Sequence, residues 1–201
     1  MVPFDYPDRP RVRRHGPQGY RQLASFRPWL RDEFSFRCVF CLRREQWDRA
    51  SSLEVEHFLP SGRFPDQRLN YDNLFYACSR CNSAKGDRAI DDPSRTLLSG
   101  NVVVGEDGRI IGQSDEARRL IQALRLNSAE AVHYRRLWIE IVAMARQFAP
   151  DLLHTLMQFP DDLPDLSRLK PPDGNSRPDG VVESHHARRN RGELPDTGEV
   201  A

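Results

Sequence analysis

Two short cysteine motifs, Cys38-Val-Phe-Cys41 and Cys78-Ser-Arg-Cys81, bound the stretch of sequence that decides the fold. They use all four cysteines of the chain, and 36 residues separate them. Two Cys-x2-Cys motifs allow four thiolates to converge tetrahedrally on one Zn²⁺ ion. Because this separation exceeds the about 15–20 residues of a short zinc ribbon, we expect the metal to join the two ends of a larger inserted structure.

Two disulfides or four buried thiols are the alternative explanations for these cysteines. The N-terminal sequence MVPFDYPDRPRVRR lacks the apolar segment of a secretory signal, and disulfides are rare in cytosolic proteins. The paired two-residue spacing also argues against scattered core thiols. The sequence therefore predicts a structural zinc site in a cytoplasmic protein, with Cys38, Cys41, Cys78 and Cys81 as its ligands.

The segment between the motifs places chemically useful side chains at the ends of two predicted elements. Residues 53–60, Leu-Glu-Val-Glu-His-Phe-Leu-Pro, predict a strand that ends with Glu56 and His57. Residues 82–87, Asn-Ser-Ala-Lys-Gly-Asp, predict one or two helical turns directly after the second cysteine motif. If zinc holds the strand beside the helix, Glu56, His57 and Asn82 come within reach of one point.

These residue types suit the hydrolysis of a phosphodiester bond. A neutral imidazole can take a proton from water near neutral pH. Carboxylate and amide oxygens are hard ligands that suit Mg²⁺ or Mn²⁺. The pattern therefore predicts a catalytic divalent cation, distinct from the structural zinc, with Glu56 and Asn82 as its ligands and His57 beside it.

The linked series Cys-x2-Cys, Glu-His-x2-Pro, Asn-Leu and Cys-x2-Cys-Asn-x2-Lys resembles the HNH endonuclease family, over residues 38–87. The resemblance implies a ββα-metal core in which His57 is the general base and Glu56 is a metal ligand. It also implies that Asn73 braces the loop carrying the base and that Asn82 fills the third motif position. The family usually has aspartate where Glu56 stands, and histidine or asparagine at the position of Asn82.

Two further residues near this motif are predicted to support catalysis. Lys85 lies three positions after Asn82 on the same helical face, so it either contacts the scissile phosphate or is a solvated surface lysine. Glu54 shares a strand face with Glu56, so it either orients a metal-bound water or is simply exposed.

The remainder of the chain predicts an α+β fold in four segments. Residues 1–20 are a basic disordered arm, 21–95 the HNH core with its zinc site, 96–160 a hairpin and helical extension, and 161–201 a disordered, proline-rich tail. Apolar periodicity predicts extension helices over residues 115–126, 129–148 and 151–159. This extension, with the Lys-Gly-Asp sequence at residues 85–87, also resembles a bacterial HNH subgroup with a helical C-terminal extension.

The predicted function is a metal-dependent endonuclease that hydrolyses DNA. Residues 1–44 hold ten arginines and four acidic residues, a balance that attracts a polyanion such as nucleic acid. No apolar run approaches the about 18 residues of a membrane span, so we expect no membrane partner. Two alternatives stay open: a non-catalytic, zinc-stapled nucleic-acid-binding module, and a toxin or phage-defence nuclease that needs a protein partner.

Overall fold

A computed structural model describes residues 3–10, 12–47, 53–175 and 178–197. Helices alternate with two small antiparallel sheets, as the predicted α+β class requires. In chain order the described helices and strands are α1 (Arg27–Glu33), β1 (Leu53–His57), β2 (Leu74–Cys78), α2 (Ser79–Lys85), α3 (Pro93–Thr96), β3 (Val102–Val104), β4 (Ile110–Gly112), α4 (Asp115–Ala123), α5 (Ala129–Phe148), α6 (Pro150–Met157) and α7 (His185–Asn190).

Strands β1 and β2 with helix α2 form the unit that carries the predicted site. The two strands pair antiparallel, with Leu53 opposite Cys78 and His57 opposite Leu74. Every residue of β2 is buried, so this strand anchors the hairpin in the core. Helix α2 begins directly after β2 and packs on both strands. The helix therefore lies beside β1 as well as beside β2.

The helical extension is fixed by polar contacts as well as by its apolar faces. Ser128 caps α5 by accepting a hydrogen bond from the backbone of Ala131. The buried Arg135 donates to the backbone oxygens of Gly108 and Leu126, both at 2.6 Å. The first bond attaches the β3–β4 turn to α5, and the second attaches the connection between α4 and α5. The predicted bounds of α5 are confirmed at both ends, whereas α4 ends three residues before its predicted end.

Individual residues of the predicted arm and tail are anchored in the fold. Phe4 and Tyr6 are buried, and the Tyr6 hydroxyl donates to the Phe40 oxygen at 2.8 Å. His15 and His185 are also buried, and both contact Asp32 of α1. Composition averages over a segment and therefore misses single anchoring side chains. Residues 1, 2, 11, 176–177 and 198–201, which the same prediction covers, lie outside the described residues.

One hydrophobic cluster draws residues from all four predicted segments. It includes Phe4 of the arm, Trp29 of the core, Leu120 of the extension and Leu166 of the tail, each at most 1% exposed. The four segments therefore contribute side chains to one core, and their boundaries stay predictions from composition.

Among the described residues, the helices lack the combination of length and apolar composition that a membrane span needs.

Candidate active site and metal centre

The four cysteines converge as the paired spacing predicts. The sulfur atoms of Cys38, Cys41, Cys78 and Cys81 all lie within 4.8 Å of one another, and none forms a disulfide. Cys41 Sγ and Cys78 Sγ are 3.7 Å apart. A tetrahedron with Zn–S bonds of about 2.3 Å has sulfur–sulfur edges of about 3.8 Å. The cluster therefore has the donor set and the dimensions to hold a zinc ion.

Backbone pairing brings the two cysteine motifs together. The first motif forms a tight turn in which the Cys38 amide donates to the Arg43 oxygen at 2.9 Å. The Val39 amide donates to the Tyr76 oxygen at 2.8 Å and so ties this turn to β2. Cys78 ends β2, and Cys81 lies in the first turn of α2. A metal held here joins the turn, the hairpin and the helix at one corner of the unit.

The thiols interact strongly enough to perturb one another. Hydrogen bonds from Cys38, Cys41 and Cys81 hold the pKa of Cys78 far below its ordinary value. Burial raises the pKa of Cys38, and the hydrogen bond with Cys38 is the main reason that the pKa of Cys81 is raised. Four sulfur ligands packed this closely can all ionise only when a cation balances their charge. The donor set therefore fits a metal ion.

The surface between β1 and α2, which we call the β1–α2 face, consists of Glu54, Glu56, Asn82 and Lys85. Residues two apart on a strand share a face, so both glutamates of β1 point toward α2. Asn82 Nδ2 donates to Glu54 Oε2 at 3.0 Å, and Lys85 Nζ donates to Glu56 Oε1 at 2.7 Å. Since Asn82 and Lys85 lie one helical turn apart, each carboxylate has its own partner on the helix.

Lys85 is buried between α2 and β1. Its side chain is 1% exposed, and its ammonium also donates to the Gly86 oxygen at 3.3 Å. This burial contradicts the alternative of a solvated surface lysine, whereas the contact with a scissile phosphate stays a prediction. The reason is the proximity of Glu56, because an ammonium buried beside a carboxylate is stabilised by that charge. Lys85 therefore contacts Glu56 directly.

Glu56 is the more buried of the two glutamates. Burial raises the pKa of its carboxyl group, and the hydrogen bond and charge of Lys85 oppose that rise. One carboxylate oxygen receives the lysine hydrogen bond, and a carboxylate has lone pairs for further partners on both oxygens. Glu56 therefore has lone pairs that can bind a cation while it accepts the hydrogen bond from Lys85.

His57 stands at the end of β1 with one ring nitrogen engaged. Its Nε2 lies 3.0 Å from the Arg68 oxygen, and a carbonyl oxygen can only accept a hydrogen bond. Nε2 must therefore carry the proton, which leaves the lone pair of the neutral ring on Nδ1. The side chain is half-buried, and a nitrogen lone pair is the feature that a general base requires.

Asn73 supports the loop that follows His57. Its Nδ2 donates to the backbone oxygens of Leu59 and Gln67, both at 3.1 Å, and its Oδ1 accepts from the Leu59 amide at 2.7 Å. The side chain is 4% exposed. These bonds hold the loop whose Arg68 oxygen orients His57. The geometry agrees with the bracing role that the family resemblance implies.

Sequence reasoning missed the parts of the site that the backbone supplies. The Arg68 oxygen orients the imidazole, and the Gln67 oxygen completes the hydrogen bonds of Asn73. Backbone oxygens occur at every residue, so no sequence signal marks these two. Glu54 was recognised as sharing the face of Glu56, but its contact with Asn82 depends on how α2 packs against β1.

Comparison with known proteins agrees with this geometry. The family model described as HNH endonuclease matches residues 38–88. The Septu protein PtuB of Bacillus thuringiensis is 28% identical over 113 residues, which are 51% of this chain and 41% of that relative. This chain therefore spans less than half the length of the relative. With its paired β1 and β2, the adjoining α2 and the clustered cysteines, the region of residues 38–88 is similar to an HNH endonuclease domain.

Proposed function

We propose that the protein is a metal-dependent endonuclease that hydrolyses phosphodiester bonds in DNA. The observation that carries the proposal is that Glu56 and His57 end β1, while Asn82 lies on α2, which packs on that strand. The HNH domain supports nuclease activity in general. The choice of DNA rests on the family resemblance and on the arginine-rich N-terminal region. A DNA substrate and a thiolate zinc site are consistent with a cytoplasmic protein.

The protein residues divide the chemistry among themselves. His57 accepts a proton from the attacking water at Nδ1, while its Nε2–H stays bonded to the Arg68 oxygen. Asn73 keeps that oxygen in place through the loop it braces. Glu56 and Asn82 would hold a Mg²⁺ or Mn²⁺ ion, since both offer hard oxygen donors. When bound, this cation supplies Lewis-acid stabilisation of the phosphate oxygens and of the departing alkoxide.

The structural ion has a separate role in the proposal. Zinc held by the four cysteines would fix the end of β2 and the start of α2 against the turn at Cys38. The thiolate set suits zinc, whereas the oxygen donors of the β1–α2 face suit Mg²⁺ or Mn²⁺. Chelation by EDTA would therefore act on two sites, and only the oxygen site is restored directly by added Mg²⁺.

Cleavage by the purified, zinc-loaded chain tests the proposal. Supercoiled plasmid and single-stranded DNA are incubated with Mg²⁺, with Mn²⁺ or with EDTA, and products are separated on gels. We expect cleavage in the presence of either cation and its loss in EDTA. DNA binding without cleavage under every cation condition would instead support the non-catalytic binding module.

A defence effector that depends on a partner is the second candidate, and the similarity to the Septu protein PtuB favours it. The matching experiment compares the chain purified alone with the chain purified after co-expression with its neighbouring genes. Cleavage that appears only in the co-expressed complex would establish the partner requirement. Equal cleavage by the two preparations would exclude it.

A further inference from the structure

The hydrogen bond between Glu54 and Asn82 determines which atom of the amide faces away from β1. Asn82 Nδ2 lies 3.0 Å from Glu54 Oε2. An ionised carboxylate has acceptor oxygens only, so the amide edge toward Glu54 must be the NH₂ group. Oδ1 is on the other branch of the same planar amide. Glu54 therefore selects one of the two amide orientations, which differ by a half-turn of the side chain.

We propose that Glu54 is a positioning residue that holds Asn82 so that Oδ1, and not Nδ2, is presented to the catalytic cation. This inference rests on the proposed function, because it concerns the ligand that Asn82 would supply. An amide oxygen binds Mg²⁺ or Mn²⁺, whereas an amide NH₂ group has hydrogens where the cation needs a lone pair. Without Glu54, both orientations of Asn82 become available and only one can bind.

The surroundings of Glu54 favour this role over a structural one. Glu54 is exposed and Asn82 is half-buried, so the bond lies at the accessible side of the β1–α2 face. The neighbouring Glu56 instead meets the buried ammonium of Lys85. Surface hydrogen bonds contribute little to stability because water can replace either partner. The Glu54–Asn82 bond is therefore better suited to orient a side chain than to stabilise the fold.

A double-mutant cycle distinguishes orientation from direct metal binding. In Asn82→Asp both branches of the side chain end in oxygen, so a half-turn leaves the ligand unchanged. If Glu54 acts by orienting Asn82, Glu54→Ala weakens the site only when residue 82 is asparagine. If Glu54 binds the cation itself, Glu54→Ala weakens the site in both backgrounds.

Mn²⁺ binding to the full-length, zinc-loaded protein is the readout, followed by electron paramagnetic resonance and paired with plasmid cleavage. We expect Glu54→Ala to weaken Mn²⁺ binding about tenfold or more, the usual range for residues that orient metal ligands. Against the Asn82→Asp protein, the Glu54→Ala, Asn82→Asp double variant should lose no Mn²⁺ affinity. Glu106→Ala, which removes an exposed acid from the β3–β4 turn, should bind Mn²⁺ as wild type does.

Three results would overturn the inference. Unchanged Mn²⁺ affinity in Glu54→Ala would exclude a positioning role, and an equal loss in both backgrounds would assign Glu54 as a ligand. If Glu56→Gln and Asn82→Ala leave Mn²⁺ binding unchanged, the protein has no cation site at these residues, and both proposals fail. The expected binding pattern in a protein that cleaves no DNA would overturn the proposed function alone.

Discussion

Two regions of the molecule combine histidine with carboxylate groups, and they differ in how fully their hydrogen bonds are satisfied. At the candidate active site, His57 is half-buried and has one ring nitrogen bonded to the Arg68 oxygen. Around α1, Asp32 and Glu33 are both 0% exposed. We call this second region, with Arg14, His15 and His185, the α1 carboxylate cluster. A histidine near an acid can act as a base only where a lone pair of its ring is accessible to substrate.

Asp32 illustrates the fully satisfied case. It accepts hydrogen bonds from His15 Nε2 at 2.8 Å, from the His185 backbone at 2.8 Å and from His185 Nδ1 at 3.0 Å. Burial alone would raise the pKa of Asp32, but the hydrogen bonds from His15 and His185 and the charge of Arg14 outweigh burial and hold it well below its ordinary value. The cluster joins the arm, α1 and the tail, so we interpret its role as structural.

Loss of zinc has the largest expected effect. It tests whether the β1–β2–α2 unit depends on the four cysteines for its fold. Cys78→Ser should release the metal and unfold the β1–β2–α2 unit, because a structural zinc ion contributes about 10–16 kcal/mol in small zinc domains. Zinc content and circular dichroism measure the change. Ser79→Ala, at the neighbouring exposed position, should keep both zinc and fold. A Cys78→Ser protein with an unchanged spectrum would contradict the structural role of the cluster.

Removal of the proposed base tests the catalytic half of the comparison. His57→Ala should reduce the cleavage rate about 10²–10⁴-fold, the usual contribution of a general base, while zinc content and melting temperature stay at wild-type values. His133→Ala removes an exposed histidine of α5 and should leave cleavage unchanged. A folded His57→Ala protein as active as wild type would exclude His57 as the base.

Substitutions of two adjacent histidines test the structural role of the α1 carboxylate cluster. His185→Ala removes a bond to a buried carboxylate and should lower the free energy of unfolding by about 1.5–3 kcal/mol. His186→Ala should change it by less than about 1 kcal/mol, since that side chain is half-buried and lies 3.7 Å from Asp165. Urea denaturation measures both. Equal stabilities of the two variants would contradict the structural role that the buried contact with Asp32 indicates.

The pH dependence of stability provides the smallest expected effect. The lowered pKa of Asp32 means that the unfolded chain, with an aspartate pKa of about 3.9, binds the proton more readily than the native protein. The stabilisation by charged Asp32 is therefore complete above about pH 5 and decreases as pH falls below about 4. Asp32→Asn should be less stable at pH 7 and show a shallower decline in stability below pH 4. Parallel declines in urea titrations would exclude Asp32 as a contributor.

Spacing and periodicity in the sequence determined the parts of this protein that depend on near neighbours. The two Cys-x2-Cys motifs predicted the sulfur cluster, and the Glu-His-x2-Pro and Cys-x2-Cys-Asn-x2-Lys motifs predicted the HNH domain. The apolar repeat predicted α5 with its correct ends. These features follow from residues within one or two turns of each other, or from pairs of motifs with a single common ligand.

Only the tertiary structure decided which polar atoms meet. Lys85 is 29 positions from Glu56, and His185 is 153 positions from Asp32, so neither pairing has a local signal. The bond from His57 to the Arg68 oxygen likewise depends on the path of a loop. Burial makes each of these partners necessary, because a charge or donor removed from water must find a partner within the fold. Which partner it finds depends on how the distant segments pack.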